Sequence, residues 1–100
     1  MSEDKGMVTL PPGYLPPDEL LAKYIEVAMR DFVYEILEDD GSYFGRVPGF
    51  QGAWANADTV EDCCRELAEV LEGWIILGIE HGHPIPVISS IDLMPSKKTA

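Results

Sequence analysis

Eighteen acidic side chains against seven basic ones give this 100-residue chain a net charge of −11, so carboxylates are the first place to look for chemistry. Most have local explanations. Asp39 and Asp40 precede Gly41 in a turn sequence, where short polar side chains bond their own backbone. Glu61 fits the third position of a helix-capping box opened by Asp58. The remaining carboxylates form no converging acid–base set. His81 and His83 flank Gly82 beside Glu80, but no ligand set has zinc spacing. Imidazoles at a helix C-terminus are more often complements to its dipole. Cys63 and Cys64 are neighbours in a helical pattern; their side chains diverge by about 100°, a poor geometry for a disulfide. Only Arg65 is placed to lower a thiol pKa. Tyr43, Phe44 and Trp54 suggest a platform for stacking bases. On a chain this acidic, a cross-strand core cluster is the stronger reading. Phosphate-loop, G-x-S-x-G and dinucleotide motifs are absent from the sequence. No catalytic residue, metal ligand or cofactor site is assigned, and the chain is not expected to be an enzyme.

The elements that would position these residues follow from pattern and punctuation. Apolar content of 46% with 25% charged residues is ordinary globular composition, and the length suits one domain. Residues 1–17 contain Pro11, Pro12, Pro16 and Pro17 and read as a flexible arm. Leu20, Leu21, Tyr24, Ile25 and Ala28 share one face of a helix expected over 18–30. Phe32–Glu38, Tyr43–Val47 and Phe50–Asn56 read as three strands. Asp40-Gly41 marks the first turn and Pro48-Gly49 the second. Asp58-Thr59-Val60-Glu61 caps a helix running to about His81, where Gly82 and Pro84 end it. A fourth strand is expected within 84–93, and 94–100 is a polar tail. The fold class is α+β: a three-stranded antiparallel meander, extended by that fourth strand, on one long helix, with an extra N-terminal helix.

The long helix carries more apolar surface than one sheet can cover. Val60, Cys64, Leu67, Leu71, Trp74, Ile75 and Gly78 form the stripe expected to meet the sheet. Asp62, Glu66, Glu69 and Glu72 make a solvated acidic face suited to a basic partner. Cys63, Val70 and Leu77 lie on a flank, and Ile76 sits in the acidic sector. Either the 18–30 helix covers these residues or a second copy does; Val70, Ile76 and Leu77 are the candidate self-association residues, and at least a dimer is expected. The acidic balance disfavours nucleic acid, and no apolar run is long enough for a membrane span. Free thiols and the charged Met1–Gly6 start are those expected of a cytoplasmic protein.

The run Asp40-Gly41-Ser42-Tyr43, then Val47-Pro48, Phe50, Gly52 and Asp58-Thr59-Val60-Glu61-Asp62 resembles the HicB-type antitoxin family in order and spacing, over about residues 32–93. Gln51 and Cys63 replace a usual proline and alanine, and the 18–30 helix is an extension. The resemblance implies a partial ribonuclease-H-like sheet without its catalytic carboxylates. It also implies a protein that neutralises a small basic RNA-cleaving toxin, HicA, by covering its active surface. Many members carry a C-terminal DNA-binding segment that is not expected here, so direct nucleic-acid binding is not expected either. Two readings stand: a HicB-like antitoxin, or an oligomeric scaffold or ligand-binding module of the same fold without a toxin partner.

Overall fold

The computed structural model describes residues 7–11 and 14–88. Over these residues the chain is a mixed α+β fold of two helices and two antiparallel sheets. In chain order they are β1 (Met7–Val8), α1 (Asp18–Ala28), β2 (Val33–Ile36), β3 (Tyr43–Arg46), β4 (Trp54–Ala57), α2 (Val60–Glu80) and β5 (Ile85–Pro86). A 3-10 turn, Met29–Asp31, follows α1. The meander has the order β2-β3-β4.

Register decides which side chains meet α2. Tyr34 pairs with Gly45 and Gly45 with Ala55, while Glu35 pairs with Phe44 and Phe44 with Asn56. Paired residues share a face. The helix-facing side of β3 and β4 therefore presents Gly45, Ala55 and Ala57, all small, with the half-buried Tyr43 opposite Ala57 at its end. The reason is steric: a methyl carbon on Gly45 would lie 2.5 Å from Phe32 Cε1 and 2.7 Å from Cys63 Sγ. At Gly45 the helix sits close because the sheet there gives it no bulk to rest on.

Cys63, Leu67, Leu71, Ile75 and Ile79 are buried along α2, each large aliphatic contributing about 1.5–3 kcal/mol on burial. The expected stripe is right in direction and one residue off at its start: Cys63, placed on the flank, is fully buried and Cys64 only half-buried. Gly78 allows close approach as expected, but the neighbour is Ile85 of β5 rather than the meander. The helix begins at Thr59 rather than Asp58. Thr59 has extended backbone and its Oγ1 accepts the Asp62 N–H at 3.0 Å, whereas Asp58 accepts no helix N–H among the described residues.

Two other expectations change. The third strand starts at Trp54, not Phe50, because Pro48-Gly49 and Gln51-Gly52 make two successive turns. The Phe50 N–H bonds the Val47 carbonyl and the Ala53 N–H the Phe50 carbonyl, with Gly49 and Gly52 at positive φ. Phe50 is thereby tucked into the core against Tyr24 and Trp74. The segment expected as a free arm is partly docked: Met7–Val8 pair with Ile85–Pro86, and Leu10 is buried. The strand expected within 84–93 is present only as β5, in a separate two-stranded sheet; residues 89–93 lie outside the described residues.

Helix α1 packs beside α2 through Leu21, Tyr24 and Ala28. The Tyr24 hydroxyl donates to the Pro86 carbonyl, tying α1 to β5, and burial pushes its phenol well above the usual range.

Candidate functional site

The four carboxylates assigned to a partner surface all lie on α2, but they are not equivalent. Asp62 is engaged: Arg65 Nη2 lies 2.5 Å from its Oδ1, and this contact holds the guanidinium pKa above its ordinary value. Glu66, Glu69 and Glu72 are exposed. Glu69 and Glu72 form one wall of a cleft of about 540 Å³ between α2 and α1. Asp18, Glu26 and the exposed Ala22 line it from α1, and Leu21, Ile25, Met29 and Ala68, buried or half-buried, line it beneath. The acidic surface that the sequence placed on one helix is thus shared by two. A pattern along one helix cannot show which face of another lies beside it.

The residues assigned to self-association separate. Leu77 is 56% exposed and Val70 36%, and they share a flank because they are seven residues apart. Ile76 is half-buried, about 100° round the helix from Leu77. So α1 does not cover the Val70–Leu77 flank. Beside it lies a cleft of about 760 Å³ lined by Trp74, Leu77, Met7, Pro84, His81 and His83 among others. Trp74 Nε1–H donates to the Gln51 carbonyl at 2.9 Å, which fixes the indole there.

The imidazoles stack with ring centroids 5.7 Å apart, and His81 Nδ1 lies 2.9 Å from the Leu77 carbonyl, the contact a C-terminal cap makes. No three His, Cys, Asp or Glu side chains gather to hold a metal among the described residues. The Cys63 thiol points at the carbonyls of Tyr43 and Ala55, each at 3.6 Å. Burial, then the neighbouring Cys64 and Glu66, pushes its pKa up, the opposite of nucleophile activation.

Trp54 was expected in the core and is 53% exposed. It shares the outer face of the meander with Arg46, its register partner, and with Val33, which pairs with Arg46, and stacks on Phe44 at 5.5 Å. The sequence shows the alternation of β4 but not which of its two sides faces inward. The small ones, Ala53 and Ala55, go inward because α2 packs so near. The sequence also gave no hint of a 480 Å³ cleft lined by Val27, Arg30, Asp31, Phe50, Pro86 and Ile88 among others, since its walls come from distant segments.

The sequence profile of the UPF0150-like family matches residues 23–86, from inside α1 through the meander and α2 to β5. The chain belongs to the UPF0150-like family. Its fold is similar to the crystal structure of TTHA0281 from Thermus thermophilus, at 28% identity and a TM-score of 0.65 over 75% of this chain and 93% of that one. No curated protein matches the chain. The UPF0150-like match begins at Lys23, so Asp18, Leu21 and Ala22 of the α1–α2 cleft, and all of β1, lie outside it. No helix among the described residues is long and apolar enough to cross a membrane.

Proposed function

We propose that this UPF0150-like protein is a HicB-like antitoxin, a cytoplasmic interaction protein that masks a small basic RNA-cleaving toxin of the HicA type. The observation that carries the reading is the acidic surface of α2. Glu66, Glu69 and Glu72 project from a rigid helix on a chain of net charge −11, and among the described residues only Asp62 is in an ion pair. Such a field accelerates encounter with a basic protein and repels RNA, which is what covering a ribonuclease requires. Membership of the UPF0150-like family supports it, a family associated with HicB-like toxin–antitoxin proteins. The meander with α2 across it is read as a partial ribonuclease-H-like sheet. Masking needs no chemistry of its own, and the protein acts without catalytic residues, metal or cofactor.

The test is titration of a HicA-type ribonuclease with this protein, reading RNA cleavage and binding at several salt concentrations. Stoichiometric loss of cleavage is expected, with association slowing as salt rises. Neutralising Glu66, Glu69 and Glu72 together should slow association and flatten its salt dependence while leaving the fold intact. Undiminished cleavage in the presence of the protein would refute the reading.

The exposed Val70–Leu77 flank favours a second reading, an oligomeric scaffold or ligand-binding module of the same fold. Self-association through that flank is part of both readings. Sedimentation of wild type beside Val70→Glu/Leu77→Glu should show at least a dimer converted to monomer. A wild-type monomer at micromolar concentration would remove the oligomer from both.

A further inference from the structure

The cleft between α1 and α2 is more than an acidic stretch of surface. Its apolar lining is Leu21, buried, and Ile25, Met29 and Ala68, half-buried, with Ala22 exposed at the rim; Glu69 and Glu72 line it from α2 and Asp18 and Glu26 from α1. None of the four wall carboxylates is in an ion pair among the described residues. From Asp18 to Met29 the α1 wall spans about three turns, roughly 16 Å. We propose that this cleft is the docking groove for a basic amphipathic helix of a partner protein, seating apolar side chains on the floor between two rows of Lys or Arg. The proposal rests on the antitoxin-type reading and names the element of the partner that would be held.

Three features of the cleft select this occupant. The walls are helices, whose backbone groups are already bonded, so an extended segment finds no strand edge to join; a helix laid in a groove needs only side-chain contacts. Carboxylates on both sides exclude an acidic or nucleic-acid occupant by like-charge repulsion. They also disfavour either helix of a second copy of this chain, since α1 and α2 carry one basic residue each, Lys23 and Arg65, and Arg65 is already held by Asp62. The apolar floor supplies what charge alone lacks, a reason for the occupant to be amphipathic rather than merely basic.

The test uses an 18-residue peptide of Leu and Lys at helical spacing, beside a scrambled peptide of the same composition, both at physiological salt. Isotope-labelled protein is titrated with each. The ordered peptide is expected to bind at least about tenfold more tightly than the scramble, with amide shifts concentrated in residues 18–29 and 68–72. Glu26→Lys/Glu69→Lys should weaken it at least about tenfold. So should Ala22→Trp, which fills the cleft without changing charge. Glu35→Lys/Glu38→Lys, with the same net charge and its changes on and just beyond β2, should retain affinity within about twofold. Thermal melts confirm that each variant is folded; if Ala22→Trp is not, Ala68→Gln replaces it. Equal affinity for the scramble, equal loss in the β2 variant, or shifts centred on Leu77 or Trp54 would overturn the proposal. Failure of the wider reading looks different: a HicA-type ribonuclease untouched by wild type sinks that reading while the peptide still decides the groove. A ribonuclease neutralised equally by wild type and by Glu26→Lys/Glu69→Lys sinks the groove and spares the reading.

Discussion

Replacing Gly45 by alanine tests the central packing claim, that α2 lies over β3 at a distance only a missing side chain permits. The new methyl carbon would stand 2.5 Å from Phe32 Cε1 and 2.7 Å from Cys63 Sγ, roughly 1 Å inside ordinary contact for carbon atoms. Phe32 is half-buried and has some freedom to turn. Cys63 is fully buried on the helix, so turning its sulfur away needs room in the surrounding core. Overpacking of this kind costs typically about 1–3 kcal/mol, and the rigid side of the clash places Gly45→Ala near the top of that range. For a domain this size, about 3 kcal/mol corresponds to a fall in Tm of roughly 12–24 °C. The assay is urea unfolding by far-ultraviolet circular dichroism at fixed protein concentration, since self-association would raise apparent stability. Cys63→Ala removes the sulfur and should cost about 1 kcal/mol alone. In the double variant it should return about 1–2 kcal/mol of the Gly45→Ala loss, a coupling of the sign and size that contacting residues show. A Gly45→Ala loss below about 0.5 kcal/mol, or a double variant that simply adds, would refute the close approach.

Three further outcomes are expected. Thr59→Ala should destabilise by about 1 kcal/mol as a lost N-cap, and Asp58→Ala by clearly less; the reverse order in denaturant midpoints would return the cap to Asp58. Trp54→Ala should cost only about 1 kcal/mol, the value of an exposed aromatic pair, and a loss of 3 kcal/mol or more would mean the indole is core. Ser42 donates to Asp40 Oδ1 through its N–H at 3.0 Å and its hydroxyl at 2.7 Å, and these bonds hold the Asp40 pKa below its ordinary value. A carboxylate lowered on folding adds stability above its unfolded pKa of about 3.9, and that stability is lost as pH falls through the lower folded value. Ser42→Ala should therefore move the Asp40 titration upward, as read from its carboxyl carbon shift, and an unmoved titration would contradict the geometry.

What the sequence made legible were features that a short window contains. Asp40-Gly41 gives the β2–β3 turn, with Gly41 at positive φ, and Gly82 ends α2 in the same way. The burial of Leu67, Leu71 and Ile75 follows from helical spacing. What it hid depends on long-range placement. The phase of β4 is set by how near α2 comes, and that depends on Gly45, nine residues before Trp54 in the chain but only one strand away in space. The docking of Leu10 and the pairing of Met7–Val8 depend on β5, at the far end of the described chain. The acidic face was legible residue by residue; its completion by Asp18 and Glu26 was not, because no pattern within α2 reports the position of α1.

The two-residue ribbon of β1 and β5 has a consequence for the order in which the molecule comes together. Met7 and Pro86 close almost the whole described chain into one loop, whereas the meander and α2 are joined by short local turns. Closing a long loop costs conformational entropy before its contacts return anything, and here the return is two residue pairs, the burial of Leu10 and Ile85, and the Tyr24 hydroxyl on Pro86. The ribbon therefore forms last and opens first. Hydrogen exchange should find its amides opening at a lower free energy than those of α2, as a separate cooperative unit. The meander and its helix would persist while the two ends of the chain part from each other.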